Sequence, residues 1–289
     1  MMQAISEIAS ARIPKLFFVY YNKKYSAKLN QQIPILVSAG HQFKNNRLRA
    51  WEIPAFASEL MLDSGGFQLT GKFGDYPFTN EQYLEYIQEV NPTYAVTLDY
   101  PCDGLDHPSP HIKLTNKQRI ERTVDNTAWL LDHEGRVTSK IIPVIQGYKV
   151  SEYLECIDLL KERGCIKDLM GVGSVCIRMR KHDVIEILKA IKKELPNTRL
   201  HVFGLNLNFV KDPKVRCRID SFDTFAWMFD SKFGRVYAFT GKRLVELDTR
   251  KNLSDSERQS MSLKAYLEYY DYLCKIWREQ TLDYYLRGE

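Results

Sequence analysis

Apolar positions follow two alternating patterns along this chain. Short runs that are apolar almost throughout, at 16–21, 35–38, 59–63, 94–99, 141–146, 169–173, 200–205 and 219–225, have the length and content of buried strands. Between them, apolar residues return every third or fourth position, as amphipathic helices require. One such stretch, 79–90, opens on Thr79, whose hydroxyl suits an N-cap. A second, 115–133, brings Ile120, Val124, Ala128 and Leu131 to one face; Tyr153, Ile157 and Leu160 mark a third, and Val184, Leu188, Ile191 and Leu195 a fourth. Strand and helix in regular alternation predict parallel βα units. About eight strands predict an α/β fold closed as a (β/α)8 TIM barrel rather than an open doubly wound sheet. No low-complexity linker or repeat interrupts the pattern, so residues 1–289 read as one domain. The final stretch, 254–287, predicts one long C-terminal helix with Leu263, Tyr266, Tyr270, Leu273 and Trp277 in a core-packing stripe.

A βα barrel gathers its chemistry where the strands end, because the loops there form one rim. Asp63 ends "ELMLD", Asp99 ends "YAVTLD", Gln146 ends "IIPVIQ", Gly173 ends "LMGVG", Gly204 follows "LHVF", and Asp223 lies in "IDSFD". Each alone has an ordinary explanation: a capping Asp63, a solvated Asp99, a turn at Gln146 and Gly147. Together they bring acids, an amide and glycines to one end of the predicted barrel. Asp220 is a second carboxylate in the last segment.

Composition narrows the class. With 44% apolar residues the chain can bury a sizeable core, and its apolar run near the start is too short to span a bilayer and lacks the form of a cleavable signal. A cytoplasmic protein without membrane contact is expected. The six cysteines form no C-x-x-C pair and have no histidines at ligand spacing, so they read as buried or idle thiols, with no metal site and no disulfide framework. A net charge of +5 permits a nucleic-acid partner. Its positive residues cluster in "RMRKH", with Arg178 and Arg180, in "VKDPKVRCR", with Lys211, Lys214, Arg216 and Arg218, and in "GKR" at 241–243. These are either solvated loops or nucleic-acid contacts.

The strand-end residues also resemble a known family. "LDSGGFQL" is similar to the D-S-G-G-[FY]-Q motif of the tRNA-guanine transglycosylases, "TLDYPCD" to their second aspartate segment and "VIQG" to their V-Q-G segment. "RIERTVDNTAW", "GVGS", "HVFGL" and "RIDSFDTF" resemble, in the same order, the family's E-R-T helix, glycine turn, [YH]-x-x-G strand and D-x-F-D segment. The resemblance spans roughly residues 35–240, and the family's fold is a (β/α)8 barrel.

The resemblance implies exchange of a guanine in a nucleic acid for a free 7-deazaguanine base such as preQ0, without a cofactor. Asp223 would be the nucleophile, in preference to Asp220, and Asp63 the general acid and base. Ser64, Gly65 and Gly66 would let the backbone approach the substrate, and Phe67 and Phe203 would cover the two faces of the purine. Asp99 would accept from the guanine edge, while Gln146, Gly147, Gly173 and Ser174 would serve its O6 side, with Gly204 beside them. Where family members carry a C-x-C-x-x-C zinc module after the nucleophile, this chain has only Cys274 and no histidine. That departure resembles compact relatives that modify DNA, so DNA is expected over tRNA as partner; a homodimer is compatible with the sequence. The rival readings are tRNA exchange, a silent accessory subunit and an unrelated barrel glycoside hydrolase.

Overall fold

The computed structural model describes residues 13–20, 31–50, 52–103, 113–176, 180–229, 233–248 and 253–287. In chain order its strands are β1 (Lys15–Val19), β2 (Ile33–Ser38), β3 (Phe43–Lys44), β4 (Arg47–Leu48), β5 (Ala57–Asp63), β6 (Tyr94–Val96), β7 (Lys140–Ile142) and β8 (Val144–Ile145). They continue as β9 (Leu169–Val172), β10 (Arg199–Val202), β11 (Ser221–Thr224), β12 (Arg235–Phe239) and β13 (Leu244–Asp248). One parallel sheet of nine strands runs in the order β7-β6-β5-β2-β1-β11-β10-β9-β8. Its two end strands are neighbours in sequence, separated only by Pro143.

That proline explains both the break and the closure. It has no N–H to give to the ladder, so the predicted strand 141–146 is divided. Its carbonyl still accepts from the Gly171 N–H at 2.7 Å. The first half, β7, pairs with β6, and the second, β8, pairs with β9. Counting the halves as one stave, the sheet closes into a (β/α)8 barrel.

Helix α1 (Ala39–Gln42) follows β2, α2 (Gly66–Phe73) and α3 (Asn80–Val90) both follow β5, and α4 (Asn116–Asp132), α5 (Val150–Glu162) and α6 (Lys181–Glu194) follow β6, β8 and β9. The short α7 (Leu207–Val210) and α8 (Pro213–Arg216) lie between β10 and β11; α9 (Ala226–Phe229) and the long α10 (Asp255–Arg287) complete the set. Thr79 and Thr115 cap α3 and α4, each in a reciprocal box with a glutamine at the third helical position. The β12–β13 hairpin between α9 and α10 is absent from the expected elements. Strand 94–99 also ends earlier than expected, at Val96.

Two apolar layers hold the barrel. Leu16, Phe18, Ile35, Val37, Leu62, Val172 and Phe222 face the helices, with Ile87, Ile157 and Leu188 among their partners. Phe17, Val19, Leu36, Met61, Val96, Ile142 and Val144 fill the interior. The α10 stripe is core, as expected: Leu263, Tyr266, Leu273 and Trp277 are buried, and the Tyr270 hydroxyl donates to the Pro14 carbonyl. Among the described residues, no helix is long and apolar enough to cross a membrane.

Candidate active site

Strand parity builds the site. On β5, Leu60 and Leu62 face outward and Met61 inward, so Asp63, the next residue of Met61's parity, turns into the barrel at the carboxyl end. The same alternation carries Val144 to Gln146 beyond β8, and Gly171 to Gly173 beyond β9. It also turns His201, Phe203 and Asp223 inward beside the outward Val202 and Phe222. Ser38, in register with Asp63, joins them from β2.

A buried hydrogen-bond chain links the predicted base-recognition residues. Ser64 Oγ donates to Asp99 Oδ1 at 2.5 Å, and Gln146 Nε2 donates to Asp99 Oδ2. Ser174 Oγ in turn donates to Gln146 Oε1 at 2.7 Å, and it accepts the Cys102 N–H at 2.8 Å. Asp99 lies beyond the end of β6, so other groups must hold its backbone. The Tyr76 hydroxyl accepts from the Asp99 N–H at 3.1 Å and lies 2.8 Å from the Asp99 carbonyl and 3.0 Å from Ser64 Oγ. On α4, Thr123 Oγ1 accepts the Tyr100 N–H at 2.9 Å, while buried Arg119 donates to the Pro101 carbonyl and pairs with Asp103.

Asp223 stands on the opposite side of the mouth. Its Oδ1 accepts the Gly204 N–H at 2.8 Å and lies 3.4 Å from His201 Nε2. Asp220, the alternative carboxylate, instead precedes β11 and accepts the Leu200 N–H at 3.0 Å, at the far end of the barrel.

The site's electrostatics single out Asp63. Burial and the nearby Asp99 carboxylate push it up to about 7, with a further rise from Asp223 and opposing hydrogen bonds from Ser38 and the Gly65 N–H. Burial also raises Asp99, against the hydrogen bonds of Ser64 and Gln146. A carboxyl raised by burial and by two neighbouring carboxylates is the arrangement general acid–base chemistry needs.

Close approach explains the glycines. Gly65 has φ +79°, and a Cβ there would come within 2.3 Å of the Gly40 amide nitrogen. A Cβ on Gly66 would meet the Asp99 carbonyl oxygen at 2.5 Å, so the "SGG" turn lies directly against the base-recognition segment. This segment begins α2 at Gly66, with Gly65 as its N-cap. Phe67, on the first turn of that helix, is 62% exposed at the mouth.

Other expected residues fall differently. Phe203 is half-buried in the barrel interior, edge-on to His201, and against Gly171, whose added Cβ would lie 2.5 Å from its ring. Gly147 faces the Tyr153 N–H at the start of α5, so its lack of a side chain serves helix packing there. Arg180 is exposed in the loop after β9; Arg178 lies outside the described residues. Lys211 and Lys214 are exposed, Lys211 over the Tyr269 ring. Arg216, expected as a nucleic-acid contact, is buried, donates to the Lys211 carbonyl and stacks on Trp277 at 4.8 Å. Arg218 folds back to donate to the Lys214 carbonyl, near the amino end of β11 and away from the mouth. The sequence reasoning missed Ser38, Tyr76 and His201. Ser38 had a signal as the polar end of an apolar run and His201 as the first residue of the "HVFGL" segment; Tyr76 had none.

Comparison with known proteins places this geometry in a family. The model of the family described as DpdA, DeoxyPurine in DNA protein A, matches residues 18–237. A tRNA-guanine(15) transglycosylase of Sulfolobus acidocaldarius is 24% identical over 209 residues, 65% of this chain and 38% of that protein. One of Haloarcula marismortui is 23% identical over 207 residues, 68% of this chain and 39% of its own length. The chain thus spans about two fifths of the length of the curated relatives it matches. Because the family match covers more than half of the chain and encloses Asp63, Asp99, Gln146 and Asp223, this protein belongs to the DpdA family.

Proposed function

We propose that this protein is a pentosyltransferase that exchanges a guanine in nucleic acid for a 7-deazaguanine base through a covalent aspartyl–sugar intermediate. The observation that carries the reading is the convergence of Asp63, Asp99, Gln146 and Asp223 at one barrel mouth, with Asp63 raised by both other carboxylates. Asp223 attacks C1′ as the C1′–N9 bond breaks, and the departing guanine takes its proton from Asp63. The incoming base then gives its N9 proton to the Asp63 carboxylate and attacks C1′, releasing Asp223. Two inversions leave the sugar with its original configuration, as in retaining glycoside hydrolysis. One glycosidic bond replaces another, so the scheme calls for no cofactor.

Recognition follows from the guanine edge, which offers donors at N1 and N2 and an acceptor at O6. Asp99 accepts from the donors by giving up its Ser64 or Gln146 partner, and the Gln146 amide turns to O6. Phe67, exposed on the first turn of α2, is free to stack on the purine. A guanine within a duplex must first leave the stack, at a cost of about a few kcal/mol. DNA is the favoured polymer, supported by the description of the family; tRNA, the substrate named for the two archaeal relatives, is the second reading. Incubating the protein with radiolabelled guanine and either duplex DNA or tRNA tests both. Label in DNA supports the proposal, label only in tRNA moves the substrate, and label in neither defeats the exchange reading.

A further inference from the structure

His201 takes no part in the chemistry above, yet it lies inside the barrel and is fully buried. Its ring is held edge-on by Phe203, with centroids 4.6 Å apart, and by Phe17, at 5.6 Å. Nδ1 lies 2.9 Å from Ser221 Oγ, directly across the β10–β11 register. Nε2 has no hydrogen-bond partner among the described residues, an unfavourable state for a buried nitrogen. The group it faces is Asp223 Oδ1, at 3.4 Å. That same oxygen accepts the Gly204 N–H.

We infer that His201 is a positioning residue for the nucleophile: its Nε2–H and the Gly204 N–H hold Oδ1 of Asp223, leaving Oδ2 as the oxygen that bonds C1′. The inference rests on the exchange reading above and specifies which carboxylate oxygen reacts. The Asp223 carboxylate, which can only accept, selects the tautomer, and Ser221 completes it. When its hydroxyl donates to Nδ1, the ring proton resides on Nε2 and points at the carboxylate; the other tautomer would set a lone pair against a negative charge. A separation of 3.4 Å is long for a hydrogen bond, and such contacts tighten when substrate binds. As Oδ2 bonds C1′ and the C1′–N9 bond breaks, Oδ1 becomes the ester carbonyl oxygen. When the incoming base breaks the Oδ2–C1′ bond, the electron pair returns to the carboxylate, and the two donors receive part of its charge.

The test compares His201→Leu, His201→Gln, Ser221→Ala and the Ser221→Ala/His201→Gln pair. Two readouts are followed: base exchange, and the protein–oligonucleotide adduct trapped by denaturing quench. His201→Leu should lower kcat and the rate of adduct formation at least about tenfold while leaving the KM for the free base unchanged. His201→Gln, whose amide can donate from nearly the same place, should recover most of the rate. Ser221→Ala should slow the protein carrying His201 and have no effect in the His201→Gln background, where no ring nitrogen needs its hydroxyl. If His201→Leu does not fold, as judged by its thermal transition, the Gln and Ser221 comparisons decide. Wild-type kcat in His201→Leu, equal losses in the Leu and Gln variants, or an equal Ser221→Ala effect in both backgrounds would overturn this inference alone. If the unaltered protein forms no adduct and exchanges no base, the exchange reading falls and this inference with it.

Discussion

Gly173 and Gln146 face each other so closely that a Cβ on the glycine would lie 2.2 Å from the glutamine Nε2. The glutamine cannot easily retreat, because its amide is bonded to Asp99 on one side and to Ser174 on the other. Gly173→Ala should therefore rotate Gln146 away from Asp99 and raise the KM for the free base about tenfold or more, with a smaller change in kcat. Steady-state exchange with varied base concentration measures both.

The elevated Asp63 carboxyl predicts opposite pH dependences for the two half-reactions. Glycosyl-enzyme formation needs the proton on Asp63 and should slow as pH rises through about 7; attack by the incoming base needs the carboxylate and should slow as pH falls below it. Single-turnover measurements on each half-reaction separate them. The same shift bears on stability. Asp63 releases its proton near 3.8 when unfolded and near 7 when folded, so its contribution is full below 3.8 and lost as pH rises toward and through about 7. Asp63→Asn should relieve that loss, by an amount on the order of a few kcal/mol at pH 8, seen as a higher denaturant midpoint than the unaltered protein.

Asp223→Asn and Asp99→Asn should fail in different ways. The first removes the attacking oxygen and should abolish the covalent adduct while nucleic-acid affinity persists. The second turns an amide N–H₂ toward guanine donors and should weaken base binding by about 2–3 kcal/mol. Adduct trapping and equilibrium binding of free guanine tell them apart.

Arg180 and Arg216 should also part company. Arg216→Ala opens a gap beneath Trp277 and removes a donor to the Lys211 carbonyl, so it should cost about 1–2 kcal/mol of stability without changing nucleic-acid affinity. Arg180→Ala, on the exposed loop after β9, should leave the melting temperature unchanged and reduce the salt dependence of binding by about one phosphate contact. Thermal melts and binding titrations over a range of salt give both answers.

The hydroxyl of Tyr76 is engaged with the backbone of Asp99 and with Ser64. Tyr76→Phe should therefore cost about 1 kcal/mol of stability and loosen base recognition, leaving adduct formation at saturating base near its normal rate. Melting and exchange kinetics on one preparation check both effects.

What the chain's own pattern determined is local and periodic. Apolar runs that ended in Asp63, Gln146 and Gly173 already placed those residues at the ends of predicted strands, and Thr79 and Thr115 marked their helix starts; which face each one takes was decided by the closed sheet. The tertiary structure alone decided which groups meet. Asp99 lies beyond the shortened β6, and its place depends on Tyr76, Thr123 and Arg119, which come from separate parts of the chain. His201 reaches Asp223 only because β10 and β11 pair in one register. The pairing of the two halves around Pro143 with β6 on one side and β9 on the other, and the burial of Arg216 under α10, are likewise contacts between segments apart in sequence. Periodicity is written residue by residue, but register and closure come from the free energy of the whole packed sheet.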